Sequence, residues 1–322
     1  MARWIEKARA QTAGQADKAG TSRQRLVVVT GGKGGVGKSN FSLNFSLALA
    51  ERGRRVLLVD SDSGLGNLDV LLGLCPERHL GHVLTGACTV DEAVIAAPGG
   101  LRLLPAASGI EALGKATAVE VGRLLRALSR LSSECDLCVL DSGAGLGPQI
   151  RALLRAAGEI LVVTTPEPTA LADAYATVKT IHKDNPKALT RLVVNMADGP
   201  RDAEAAVRSV SAVCRRYLDW TPGYLGAIPR DPGVPRAVRE QRPFLLSAAT
   251  GPAARALRTL AAVFCDEAVP AVRPAGLREV LLSLIRPRLP EAEAATATAT
   301  GLPGGPQRRA AVLPRPKGGA AV

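Results

Sequence analysis

A doubly wound α/β fold, with a mostly parallel sheet and helices on both faces, is what this sequence predicts, and three observations carry it. Seven short apolar runs, at 26–29, 56–59, 101–104, 137–140, 160–163, 192–194 and 224–228, are continuous rather than alternating, as parallel strands covered on both faces require. Between them lie helical stretches, Phe41 to Glu51, Val119 to Leu131, Leu171 to His182 and Ala203 to Leu218, and residues 250–267 read as a closing helix. The chemistry-bearing residues fall at strand ends all the way from Lys33 to Asp231, so they need one continuous sheet. The 322 residues therefore build one large domain rather than two. An apolar fraction of 47% with only 3% aromatics implies a large core packed by aliphatic side chains.

The first strand, Leu26 to Val29, runs directly into Gly32-Lys33-Gly34-Gly35-Val36-Gly37-Lys38-Ser39. A strand, a glycine loop and a helix start surround phosphate oxygens with backbone N–H groups, so the segment reads as a nucleoside-triphosphate loop. Gly32, Gly34, Gly35 and Gly37 let the backbone bend and approach the phosphates. Lys38 neutralises the β and γ phosphates, and Ser39 offers its hydroxyl to Mg2+.

Later strand ends add to the site. Val56 to Val59 ends in Asp60-Ser61-Asp62, whose two carboxylates point the same way at the carboxyl edge of the sheet. Leu137 to Leu140 delivers Asp141 and then Ser142-Gly143-Ala144-Gly145; an apolar strand ending in Asp is the Walker B pattern, its carboxylate reaching Mg2+ through a water. Leu192 to Val194 runs into Asn195, whose amide offers the donor and acceptor that match an adenine edge, and 226–228 runs into Pro229-Arg230-Asp231. Asn and Pro also end strands as plain turn residues, so both readings of these two segments stay open.

Lys33 discriminates, because an ordinary loop of this type needs one lysine. Here the chain resembles the deviant Walker A ATPases of the MinD/ParA class. The resemblance implies bound ATP and Mg2+, and a homodimer in which Lys33 reaches the partner's phosphates. It makes Asp60 a structural partner near the loop and Asp62 the residue that orients the attacking water beside the metal held with Ser39 and Asp141. It also places Asn195, Pro229, Arg230 and Asp231 on the adenine base. Several segments are similar to the MinD-like flagellar number regulators of the FlhG/FleN type: Ser39-Asn40, Gly64-Leu65-Gly66-Asn67-Leu68-Asp69, Leu104-Pro105-Ala106-Ala107-Ser108-Gly109, Asp141 to Gly145, Pro166 to Tyr175 and Val194-Asn195-Met196. This likeness covers residues 26–269. It implies a slow ATPase switch that controls flagellar number or placement, with a GTPase of the signal-recognition type, basal-body or switch proteins, or a flagellar transcription regulator as partner. The start departs from that pattern: Gln15-Ala16-Asp17-Lys18 lacks the leading Asp and the Leu-Arg of the GTPase-stimulating segment.

The formal charge of +12 is unevenly placed: residues 1–25 hold six basic against two acidic side chains and residues 270–322 eight against three, leaving about +3 for the core. Basic ends suit an anionic lipid surface better than a DNA groove. After a linker at 270–275, the stretch 276–289 puts Leu277, Val280, Leu281, Leu284 and Ile285 on one helical face, flanked by Arg278, Arg286 and Arg288. It reads as an amphipathic membrane anchor, and a final helix docked on the core is the competing reading. Residues 290–322 have the composition of a disordered tail, and 1–25 that of a basic extension. Six cysteines without a signal peptide suggest a reducing cytoplasm, with the chain reversibly peripheral on the inner face of the membrane. The Cys135/Cys138 pair, three apart in a strand, should point to opposite faces, and His79 and His82 should be surface residues. Two alternatives stay open: a partition ATPase that binds DNA, and an adaptor that binds ATP without turning it over and sequesters a transcription factor or GTPase.

Overall fold

The computed structural model describes residues 25–61, 67–105, 117–267, 277 and 280. An eight-stranded sheet runs in the order β3-β4-β2-β5-β1-β6-β7-β8. Its strands are β1 (Arg25–Thr30), β2 (Val56–Asp60), β3 (Ile95–Ala96), β4 (Arg102–Pro105), β5 (Leu137–Asp141), β6 (Glu159–Thr164), β7 (Leu189–Ala197) and β8 (Gly223–Pro229). Seven are parallel and correspond to the seven apolar runs; the two-residue β3, too short to leave a pattern, pairs antiparallel at the edge. Every residue of β1, β2, β5 and β6 is buried, which explains why these segments are continuously apolar.

The helices are α1 (Lys38–Glu51), α2 (Leu68–Leu72), α3 (Leu80–Thr85), α4 (Val90–Ala93), α5 (Ala118–Ser133), α6 (Pro148–Ala156), α7 (Pro168–Asp184), α8 (Pro200–Leu218), α9 (Gly233–Arg239), α10 (Phe244–Ser247) and α11 (Pro252–Asp266). Alternate strand residues feed two cores. Val27, Val29, Leu58, Val139 and Leu161 join α1, α10 and α11 on one face. Leu26, Val28, Leu57, Leu140 and Ile160 join α3 through α8 on the other. Phe41 stacks on Phe45 at 5.0 Å, and Phe45 meets Phe264 edge-on at 5.2 Å, which locks α1 against α11. Reciprocal Thr/Glu caps, Thr89 with Glu92 and Thr117 with Glu120, start α4 and α5.

Three expectations are corrected. Leu277 and Val280 do not face lipid: both are fully buried within the core on the α3–α8 face. They are large aliphatics, and packing them satisfies the same drive that lipid would. Leu281, Leu284 and Ile285 lie outside the described residues, as do residues 1–24 of the basic amino-terminal extension, the 270–275 linker and the tail at 290–322, whereas Arg25, expected in the extension, is the first residue of β1. Cys135 precedes β5 instead of lying in it, so the alternation argument fails, and both thiols are buried in the same core. Burial pushes both up, Cys138 far above the ordinary thiol range. His79 and His82 are half-buried and cap α3: Nδ1 of His79 accepts from Gly81 N, and Nδ1 of His82 accepts from His79 N.

Candidate functional site

The loop from Gly31 to Gly37 leaves the carboxyl end of β1, which lies between β5 and β6 where the sheet's connections diverge. Gly37 caps α1 in the left-handed region at φ 84°, and a Cβ there would meet the Asn195 side chain at 2.5 Å. Only glycine fits on both counts. Gly32 faces the backbone of α7, where a Cβ would lie 2.4 Å from the Asp173 carbonyl. Gly34 and Gly35 have open space beside them, and Val36 is buried.

The two lysines differ in surroundings. Lys38 is buried, and its Nζ donates to the Lys33 carbonyl at 3.2 Å, curling over the loop. The Lys33 side chain is 40% exposed; its Nζ donates to Thr169 Oγ1 at 2.9 Å and pairs with Glu167 at 3.3 Å, both at the start of α7. Glu167 and Thr169 lie in the Pro166 to Tyr175 segment singled out above, but neither was expected at the site. A carboxylate directly ahead of Pro168 at a helix start was the available signal.

Asp141, at the end of β5, is buried, and Ser42 donates its hydroxyl to Asp141 Oδ1 at 2.7 Å. The second oxygen, Oδ2, is buried with no hydrogen-bond partner among the described residues. Burial pushes this carboxyl up to about 7, with Asp60 adding to the effect while the Ser39 and Ser42 hydroxyls and Lys38 oppose it. An orphaned buried carboxylate oxygen beside a serine hydroxyl is the donor set of a hard divalent cation, so these residues fit Mg2+. Ser42 was missed in the sequence, although it follows Ser39 by three residues on one helix face. Asp60 is buried at the end of β2 and accepts from Leu68 N at 3.3 Å. Asp62 lies outside the described residues.

A pocket opens beside the loop, lined by Asn40, Asn195, Met196, Ile228, Pro229, Arg230 and Phe244 among others. A bulge builds it: between Val194 and Ala197 two residues of β7 oppose one of β8, and Met196 takes φ 57°. The bulge aims Asn195 at the loop, where Nδ2 donates to the Val36 carbonyl at 2.9 Å. Since that carbonyl can only accept, the amide's other atom, Oδ1, is an acceptor. Pro229 lines the pocket wall, and Arg230 at its rim donates to Asp198 at 2.9 Å. Asp231 also lines the pocket and has a structural part besides. Its carboxylate accepts from Gly233 N at 2.8 Å and Ala253 N at 3.1 Å, fastening the turn to the start of α11.

A buried loop lysine, a second lysine at the rim, an orphaned strand-end carboxylate and an apolar pocket alongside define a P-loop nucleotide-binding protein with a doubled lysine. The chain belongs to the CobQ/CobB/MinD/ParA nucleotide-binding domain family, matched over residues 27–244. It is 42% identical over 218 residues to the antiactivator FleN of Pseudomonas aeruginosa, covering 68% of this chain and 78% of that one. It is 34% identical to the flagellum site-determining protein YlxH of Helicobacter pylori, covering 68% and 74%. Among solved structures, the cell division ATPase MinD of Pyrococcus furiosus superposes with a TM-score of 0.62 at 27% identity, over 76% of this chain and 99% of that one.

Proposed function

We propose that this protein is a Mg2+-dependent ATPase switch of the flagellar MinD-like type: it pairs with a second copy when ATP is bound, associates with the inner membrane face and sets flagellar number or placement. The flagellar role is supported by the likeness to the flagellum site-determining protein YlxH and to the antiactivator FleN. The switch chemistry is supported above all by Lys33. Its own chain already provides a loop lysine in Lys38, and the Lys33 amine is held at the rim by Glu167 and Thr169, facing solvent. A cation in that position is placed to serve a phosphate arriving from outside the subunit, exchanging a weak exposed ion pair for a desolvated one.

Within one subunit, the loop amides and Lys38 hold the β and γ phosphates, and the pocket of Asn195, Met196, Ile228, Pro229 and Phe244 receives the base. Ser39 and Asp141 would hold Mg2+, with Asp62 beside it; when bound, the cation supplies charge neutralisation of the phosphates. Asp62 aligns the attacking water, and Asp60 fixes the end of β2 near the loop.

The test is ATP turnover together with solution mass. The parent protein is expected to be dimeric with ATP and monomeric with ADP. Lys33→Ala should stay monomeric and lose at least about 100-fold in turnover. Asp62→Ala should bind ATP, dimerise and hydrolyse nothing. Unchanged turnover and mass in Lys33→Ala would refute the reading.

A further inference from the structure

Helix α1 carries a hydrogen-bond chain whose direction is fixed by backbone groups at both ends. The backbone N–H of Leu245, in α10, can only donate, and it donates to Asn44 Oδ1 at 2.9 Å. The other amide atom of Asn44 is therefore its NH2 group, consistent with its second contact: Nδ2 donates to the Asn40 carbonyl, which can only accept, at 2.8 Å. The same nitrogen donates to Asn40 Oδ1, also at 2.8 Å. Both hydrogens of Asn44 are thus committed, and Asn40 must turn its oxygen toward Asn44 and its NH2 away. Asn44 is fully buried, whereas Asn40 is half-buried and lines the nucleotide pocket.

We propose that Asn44 is a positioning residue for nucleotide binding: it orients the Asn40 amide so that a hydrogen-bond donor is presented to an oxygen of the α-phosphate. The inference rests on the nucleotide-binding reading of this site. Asn40 lies in the first turn of α1, two residues after the loop lysine, whereas Phe244, Ile228 and Pro229 form the apolar part suited to a base. A freely rotating asparagine would present its oxygen to the phosphate half the time; the tether removes that repulsive orientation before the ligand arrives. It also links the pocket to α10, since Phe244 lines the pocket and the next residue, Leu245, starts the chain of bonds.

A double-mutant cycle measured by calorimetric titration of ADP in Mg2+ buffer tests this. If the parent binds no ADP, the nucleotide reading itself fails. With the parent binding, Asn40→Ala should weaken ADP about tenfold and Asn44→Ala about twofold, the loss expected when half of the amide orientations no longer compete, and the double variant should be no weaker than Asn40→Ala alone. Parent-like affinity of Asn44→Ala, or an equal further loss when it is added to Asn40→Ala, would overturn the proposal. Should Asn44→Ala fail to fold, Asn40→Asp decides: it keeps the acceptor that Asn44 needs and swaps the donor for an oxygen. A loss of at least about tenfold is expected. Retained ADP affinity there would overturn the proposal.

Discussion

At the scale of single residues, the buried carboxyl of Asp141 makes the site's dependence on pH calculable in sign. Its folded value of about 7 lies above the ordinary carboxylate value, so the folded chain keeps a proton that the unfolded chain releases. Metal-free protein should therefore lose stability as pH rises from about 4 to 7, and the loss is complete above the folded value. Asp141→Asn removes that penalty. In chelator at pH 8 its melting temperature should exceed the parent's, with the advantage shrinking as pH falls and gone below about pH 4. Adding Mg2+ with ADP should raise the parent's melting temperature by more than that of the variant, which keeps the loop and pocket but loses the metal's carboxylate. Equal pH profiles for the two proteins would show that Asp141 is not the strained group.

At the scale of elements, Leu277 and Val280 change the account of the segment expected to anchor the chain in lipid. Their full burial predicts that Leu277→Ala, by emptying a packed site, lowers stability by about 2–5 kcal/mol in denaturant titration without lipid present. A residue serving lipid alone would cost nothing there. The helical stripe was legible in the sequence, but the burial of Leu277 and Val280 was not, because a core and a bilayer accept the same side chains. The parallel strands were legible because burial on both faces leaves an unbroken apolar run. The bulge at Asn195 and Met196, which builds the pocket, left no such mark, since its cause is the pairing of β7 with β8 across some thirty intervening residues. For the same reason Lys38 and Asp141 could be named as candidates from local spacing, and Lys33 from the resemblance, whereas Glu167 beside Lys33 and Ala253 above Asp231 could not.

At the scale of the whole molecule, membrane association requires Leu277 and Val280 to exchange one apolar environment for another. Lipid binding should then be weak and conditional: with anionic liposomes, ATP should increase sedimentation of the full chain over ADP, and a chain ending at Pro274 should stay in the supernatant in both. Nucleotide-independent sedimentation would remove the membrane step from the cycle. Far from the glycine loop, at the amino ends of the strands, Glu159 receives Arg25 in a bidentate pair at 2.7 and 2.8 Å and also binds Arg191, which pairs with Glu267. Arg25 additionally donates to the Phe264 carbonyl at 2.6 Å and stacks on that ring. The first strand and the last helix of the described core are thereby clamped together at one pole. A fluorescent reporter fixed at Asp266, the exposed last residue of α11, would sit at that pole and leave the glycine-loop rim unobstructed for optical measurements.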